Sequence, residues 1–84
     1  MSYFVYLLRC GDNSLYCGIT TDIKRRLEEH NSGSKSAKYT RSRRPVALVY
    51  CETVESHEKA LKREWEIKKL SKQKKENLVQ ATGV

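Results

Sequence analysis

The sequence predicts an α+β fold, a small three-stranded antiparallel sheet flanked by helices in the order β-β-α-α-β-α-α. Three observations carry that expectation. Tyr3 to Leu8 and Val46 to Cys51 are unbroken apolar runs of strand length, the pattern of strands covered on both faces. Gly11-Asp12-Asn13-Ser14 is dense in turn residues and joins the first run to a second, Leu15 to Ile19, as a hairpin. The remaining stretches place capping residues ahead of apolar positions at helical spacing.

Within the hairpin, a loop from Cys10 to Ser14 sets Leu8 opposite Tyr16 and Tyr6 opposite Gly18, so both tyrosines share one face. Such diagonal neighbours lie roughly 7–8 Å apart. The missing side chain at Gly18 is expected to leave a hollow in front of Tyr6 where a ligand can approach. Thr20-Thr21-Asp22 supplies N-cap chemistry for a helix from Ile23 to His30. On it, Ile23, Leu27 and His30 are spaced to face the sheet, with Arg26 on the edge of that stripe and within reach of the hollow. Two phenols and a guanidinium converging on a cleft suit a phosphate, because Arg presents a planar fork of donors.

Asn31-Ser32-Gly33-Ser34 ends that helix. The next stretch carries Lys35, Lys38, Arg41, Arg43 and Arg44 with Tyr39 interleaved and no acid, which marks it as the candidate nucleic-acid-binding segment. A solvated basic loop is the alternative. Pro45 closes the segment before the third strand, and Thr53 to Ser56 is expected to be a connection with Ser56 as N-cap. A long helix runs from His57 to about Leu70, and Ser71 caps a short last helix that turns Leu78 and Val79 inward. Residues 1–80 are expected to form one domain and 81–84 a flexible tail.

Eighty-four residues suffice for one small core. No stretch approaches the roughly 20 apolar residues of a membrane span. The apolar run near the N-terminus is short and lacks a basic lead, so no signal peptide is read and the cytoplasm is the expected compartment. Three cysteines, Cys10, Cys17 and Cys51, without CxxC spacing are expected to be reduced and structural. Seventeen Lys and Arg against ten Asp and Glu give a charge of +7, which points to a polyanionic partner. RNA binders, DNA-binding modules and nucleases share that balance, and an excess of positive charge also aids solubility.

One acid stands out. At about 100° per residue with Ala60 as zero, Ile67 falls near −20° and Glu64 near 40°, inside the apolar sector of the long helix. A buried carboxylate costs several kcal/mol unless it is compensated. Two readings stay open: a salt bridge to Arg26 or Lys68 that anchors helix to sheet, or a ligand for a divalent ion that keeps most of its waters and takes substrate phosphate.

Tyr6 in Phe4-Val5-Tyr6, the run Tyr16-Cys17-Gly18-Ile19-Thr20, Arg26 with His30-Asn31, Lys38-Tyr39-Thr40, Arg44-Pro45-Val46, and Ala60-Leu61 with Arg63-Glu64 together resemble the GIY-YIG nuclease superfamily, and within it the small bacterial UPF0213 group. The chain is also similar to the catalytic subunit of the eukaryotic endonuclease that cuts branched DNA. The likeness runs from Tyr3 to about Leu78. Where the first motif has Gly and Ile, this chain has Phe4 and Val5. The resemblance implies metal-dependent hydrolysis of DNA phosphodiester bonds, in branched, nicked or damaged DNA and in repair or recombination. It implies Mg²⁺ or Mn²⁺ on Glu64, Arg26 on the transition-state charge, Tyr6 receiving the proton of the attacking water, Tyr16 positioning water or phosphate, and His30 as a second base or phosphate contact. A phenol with an ordinary pKa near 10 needs the metal or Arg26 to favour its phenolate.

The expected partner is DNA, with RNA not excluded. The chain is expected to be a monomer or weak homodimer, with a protein partner supplying specificity. Two other function classes stay open: a nucleic-acid-binding protein that keeps the fold without turnover, and an accessory module docking through the Trp65 helix.

Overall fold

Strand β1 (Tyr3–Arg9) lies between β2 (Leu15–Thr20) and β3 (Ala47–Val54), in an antiparallel sheet of order β2-β1-β3. These coordinates are a computed structural model that describes residues 2–32 and 37–81. The central position of β1 follows from its composition: Val5, Tyr6, Leu7 and Leu8 are all buried, and only a strand covered on both faces can hide four consecutive side chains. The hairpin closes as its turn residues require. Asn13 takes a φ of 70°, and the Asp12 carboxylate accepts from the Ser14 amide at 3.0 Å and its hydroxyl at 2.6 Å. The expected register holds, with Tyr6 opposite Gly18 and Leu8 opposite Tyr16.

Strand β3 runs further than its apolar stretch suggested. Thr53, expected in a connection, pairs with Phe4, and Val54 pairs with Tyr3. Glu52, the first charge after the apolar run, is met by Arg63 at 2.8 Å and by the Tyr50 hydroxyl. Partnered in this way, it continues the ladder.

Helices α1 (Ile23–Asn31) and α2 (Lys38–Arg41) precede β3, while α3 (His57–Lys68) and α4 (Lys72–Ala81) follow it. Asp22 caps α1 by accepting from the Arg25 amide at 3.0 Å, and Ser56 caps α3 through the Lys59 amide at 3.2 Å. The basic segment is not loop throughout, since α2 is one helical turn inside it. Of the expected tail, Ala81 closes α4 and residues 82–84 lie outside the described residues, as does Lys35. Cys10 and Cys17 are buried free thiols and Cys51 is an exposed one. No helix among the described residues is long and apolar enough to cross a membrane.

Alternation along the strands sorts the core into two layers. Val5, Leu7, Cys17 and Tyr50 meet Ala60, Ile67 and Val79 of α3 and α4 on one face. Tyr6, Leu8, Cys10 and Val46 meet Ile23 and Leu27 of α1 on the other, with Tyr16 and Leu48. Arg9 ties the end of β1 to α4 by a bidentate pair with Glu76 at 2.6 and 2.7 Å.

Candidate active site

The α1 face of the sheet gathers four of the residues singled out in the sequence. The antiparallel register lays the Tyr6 ring across Gly18, where a Cβ would stand 2.4 Å from the Tyr6 hydroxyl and 3.2 Å from Tyr16. The expected hollow is therefore not open. Tyr6 fills it with its own ring, because a phenol is the group nearest to a strand position without a side chain. The gap behind it, lined by Tyr6, Leu8, Ile23, Arg26, Leu27 and Leu48, has no room for a water molecule.

With its ring so placed, the Tyr6 hydroxyl lies 2.9 Å from His30 Nε2. His30 is fully buried at the end of α1, and its Nδ1 lies 2.8 Å from the Thr40 hydroxyl. Tyr16 meets the same imidazole edge-on, with ring centroids 5.3 Å apart. Arg26 bonds the Tyr6 phenol and pairs with Glu29 at 3.0 Å. Burial pushes Tyr6 up to about 12, further than the Arg26 bond lowers it. Burial first, then the Arg26 charge, brings His30 down to about 4. At neutral pH both rings are uncharged, so the expected help from Arg26 toward a resting phenolate is present but outweighed by burial.

Beside this cluster stands the basic segment. Tyr39 stacks on Tyr16 at 5.7 Å and carries the Arg43 guanidinium 3.9 Å above its ring. Arg43 also pairs with Asp12 at 3.0 Å, and Arg44 donates to the His30 carbonyl at 2.8 Å. Asn31 clamps Val46 through both its backbone amide and carbonyl, at 2.8 and 3.0 Å. These contacts assign Arg43 and Arg44 a share in holding the segment against the site, while Lys38 and Arg41 are exposed on α2. Lys38, Tyr39, Arg41, Ser42 and Arg43 line an open groove of about 760 Å³. Sequence reasoning quoted Thr40 but gave it no role. A lone Thr amid basic residues is not a signal until its partner, ten residues earlier, is known.

Glu64 is placed differently. It belongs to α3, on the opposite face of the sheet, beside Cys17, whose thiol burial and the Glu64 charge push up to about 11. Its ion-pair partner is Lys68 at 3.3 Å, one of the two cations expected, but the pair lies four residues apart within α3 and so does not anchor that helix to the sheet. The contacts that bind Tyr6, His30, Tyr16 and Arg26 to one another run without it. β2 is an edge strand, with Tyr16 on its α1 face and Glu64 near its Cys17 on the other. The Glu64 side chain is 20% exposed and offers hard oxygen donors, and its lysine partner is half in solvent, where such a pair is worth 0–1 kcal/mol. That chemistry suits Mg²⁺ or Mn²⁺ held by one carboxylate plus water and phosphate. No group of three or more His, Cys, Asp or Glu able to hold a metal occurs among the described residues.

Comparison with known proteins supplies the family. The GIY-YIG catalytic domain family matches residues 2–77. UPF0213 protein DP2720 of Desulfotalea psychrophila is 56% identical over 96% of this chain and 74% of its own. A UPF0213 protein of Staphylococcus aureus is 53% identical over 93% and 94%. The solution structure of UPF0213 protein BH0048 from Bacillus halodurans superposes with a TM-score of 0.63 at 49% identity, covering 99% of this chain and 87% of that one. That of EF2693 from E. faecalis gives 0.65 at 36% identity, covering 99% and 88%. The match across nearly the whole chain, on the sheet and helices described above, makes this protein a member of the GIY-YIG family and of its UPF0213 group.

Proposed function

We propose that this protein is a metal-dependent endonuclease that hydrolyses DNA phosphodiester bonds, acting on branched, nicked or damaged DNA in repair or recombination. The observation that carries the reading is the Tyr6–His30 hydrogen bond of 2.9 Å beside Arg26. A buried phenol, an imidazole and a guanidinium on one spot have little use in packing, since each loses solvation there. They have a use in moving a proton beside a phosphate.

The chain's own residues divide the work. The resting site has no room for a water against Tyr6, so the substrate must bring one in by displacing the ring from Gly18; a water attacking phosphorus would then lose one proton to the Tyr6 oxygen as Tyr6 passes its own to His30 Nε2. The P–O bond to water forms, the bond to the leaving 3′ oxygen breaks with its electron pair, that oxygen takes a proton from solvent to become the 3′ hydroxyl, and the imidazolium returns its proton to solvent. Neither ring needs to be charged beforehand: the lowered His30 keeps Nε2 bare at neutral pH, while the same burial and Arg26 charge make the imidazolium short-lived. Arg26 sits where it can neutralise the charge gained by the phosphate in the transition state, a term worth a few kcal/mol. Tyr16 orients water or phosphate at the edge of β2. Glu64 would hold Mg²⁺ or Mn²⁺, which supplies Lewis-acid polarisation of the phosphate when bound. Lys38 and Arg41, with Tyr39 and Arg43 behind them, face the sugar-phosphate backbone along the α2 groove.

A second reading, a nucleic-acid binder without turnover, draws on one observation: the carboxylate the reaction requires is paired with Lys68 and stands apart from the cluster. Incubation with flap, nicked, junction and single-stranded DNA, with and without Mn²⁺, separates the two. The nuclease reading expects cutting that needs the metal and is lost in Glu64→Ala and Arg26→Ala. Binding without cutting of any substrate would leave the second reading standing.

A further inference from the structure

We infer that Thr40 is a positioning residue that fixes His30 as the Nδ1–H tautomer and thereby turns its Nε2 lone pair onto the Tyr6 hydroxyl. The inference rests on the nuclease reading for its purpose but not for its geometry. It begins from proton accounting in a fully buried triad. Thr40 Oγ1 lies 3.1 Å from the Ala37 carbonyl, which can only accept, and 2.8 Å from His30 Nδ1. A hydroxyl carries one hydrogen. Donated to Ala37, whose carbonyl also takes the Arg41 amide at 3.1 Å, it leaves Thr40 as an acceptor toward the ring and Nδ1 brings the proton. Nε2 is then a bare lone pair, and the Tyr6 hydroxyl at 2.9 Å donates to it.

The opposite arrangement fails at Tyr6. With the proton on Nε2, the phenol oxygen would accept from both His30 and Arg26, and its own hydrogen would need another acceptor. In the arrangement inferred, each hydrogen has one. The Tyr6 oxygen accepts from Arg26, Tyr6 donates to His30, His30 to Thr40, and Thr40 to Ala37, and no buried side-chain polar atom among the described residues is left unpaired. The groups facing the imidazole agree: Arg26 and Arg44 disfavour an imidazolium, Glu29 is engaged with Arg26, and Tyr6 is a neutral phenol in the resting site.

Mechanistically, the tautomer decides the direction of proton flow. Nε2 can receive a proton from Tyr6 only while it is bare, so Thr40 sets Tyr6 to take one from water. The placement also joins two functions on one turn, since Tyr39 of the same helix stacks on Tyr16. Fixing one hydroxyl thus ties the basic segment to the proton path.

The test is ¹⁵N NMR of the His30 ring in the full chain without DNA, for the native protein, Thr40→Ser and Thr40→Val. The expected result is a protonated Nδ1 in the native protein and in Thr40→Ser, and loss of that preference in Thr40→Val. A protonated Nε2 in the native protein, or a tautomer unmoved in Thr40→Val, would overturn the inference. If Thr40→Val does not fold, the native and Thr40→Ser spectra decide alone. Where cutting is measured, Thr40→Val should lower kcat about 10-fold or more with KM little changed, and Thr40→Ser should restore it. Absence of cutting in every form would sink the nuclease reading while leaving the tautomer result to stand or fall by itself.

Discussion

Under α3 and α4 the sheet is sealed mainly by carbon and sulfur, with Val5, Leu7, Cys17, Ala60, Ile67 and Val79 in one cluster and the hydroxyl of Tyr50, bonded to Glu52, as its polar group. Under α1 and α2 the buried layer instead contains Tyr6, His30 and Thr40, each at most 2% exposed. The first layer gains free energy in proportion to the apolar area it hides and tolerates any shape that fills it. In the second, each polar atom must meet a partner or cost the full desolvation of the group, so its members are bound to one geometry. The difference teaches where to look for function in this small protein. A fold of this size has little stability to spare, and three buried polar side chains on one face are intelligible as machinery rather than as packing.

The comparison can be broken in four ways. Ile67, with no exposed surface, is the test of the apolar layer: Ile67→Ala should cost about 2–5 kcal/mol in urea unfolding while the Tyr6–His30 signals of the folded fraction stay in place. Equal disturbance of both layers would mean that they are not separable.

The polar layer should show itself in pH dependence. His30 ionises near 4 in the folded chain against 6.5 when unperturbed, so between those values the unfolded chain binds more protons. Stability from this source is complete above 6.5 and is lost as pH falls toward 4, by an amount on the order of 3 kcal/mol. Unfolding midpoints measured across that window should fall in the native protein and stay flatter in His30→Gln. Equal slopes in the two would remove the buried imidazole as the cause.

Gly18→Ala is expected to act next in size. The added methyl would collide with the Tyr6 ring, which cannot swing away without leaving His30. Overpacking of this kind costs about 1–3 kcal/mol, and loss of the Tyr6–His30 contact in NMR is the expected signature. Smallest should be Lys68→Ala, with a stability change below about 1 kcal/mol because the pair is exposed on the lysine side. Freed of that partner, Glu64 should bind Mn²⁺ more tightly by calorimetry. Unchanged or weaker binding would argue that this acid is not the ligand.

Much of the fold follows from short-range pattern. The Gly11 to Ser14 turn set the hairpin register, which placed both tyrosines on one face, and the spacing of Ile23, Leu27 and His30 placed α1 over them. These are relations between neighbours in the chain, where the period of a strand or helix fixes direction. The extension of β3 was hidden because Glu52 is the first charge after the apolar run, and only the fold brings its partner Arg63 beside it. The face occupied by Glu64 was hidden for the same kind of reason, since helical spacing gives the angle of a side chain on its own helix but not the side of the sheet on which that helix packs.

By itself, then, the sequence determined the elements, the hairpin register and the residues worth watching, because those depend on turns, caps and periodicity within a few residues. Only the tertiary structure decided that Tyr6 closes over Gly18, that Thr40 reaches His30, and that Glu64 stands across the sheet from both. Each of those is a contact or separation between segments far apart in the chain, set by how the layers pack, and no local pattern encodes it.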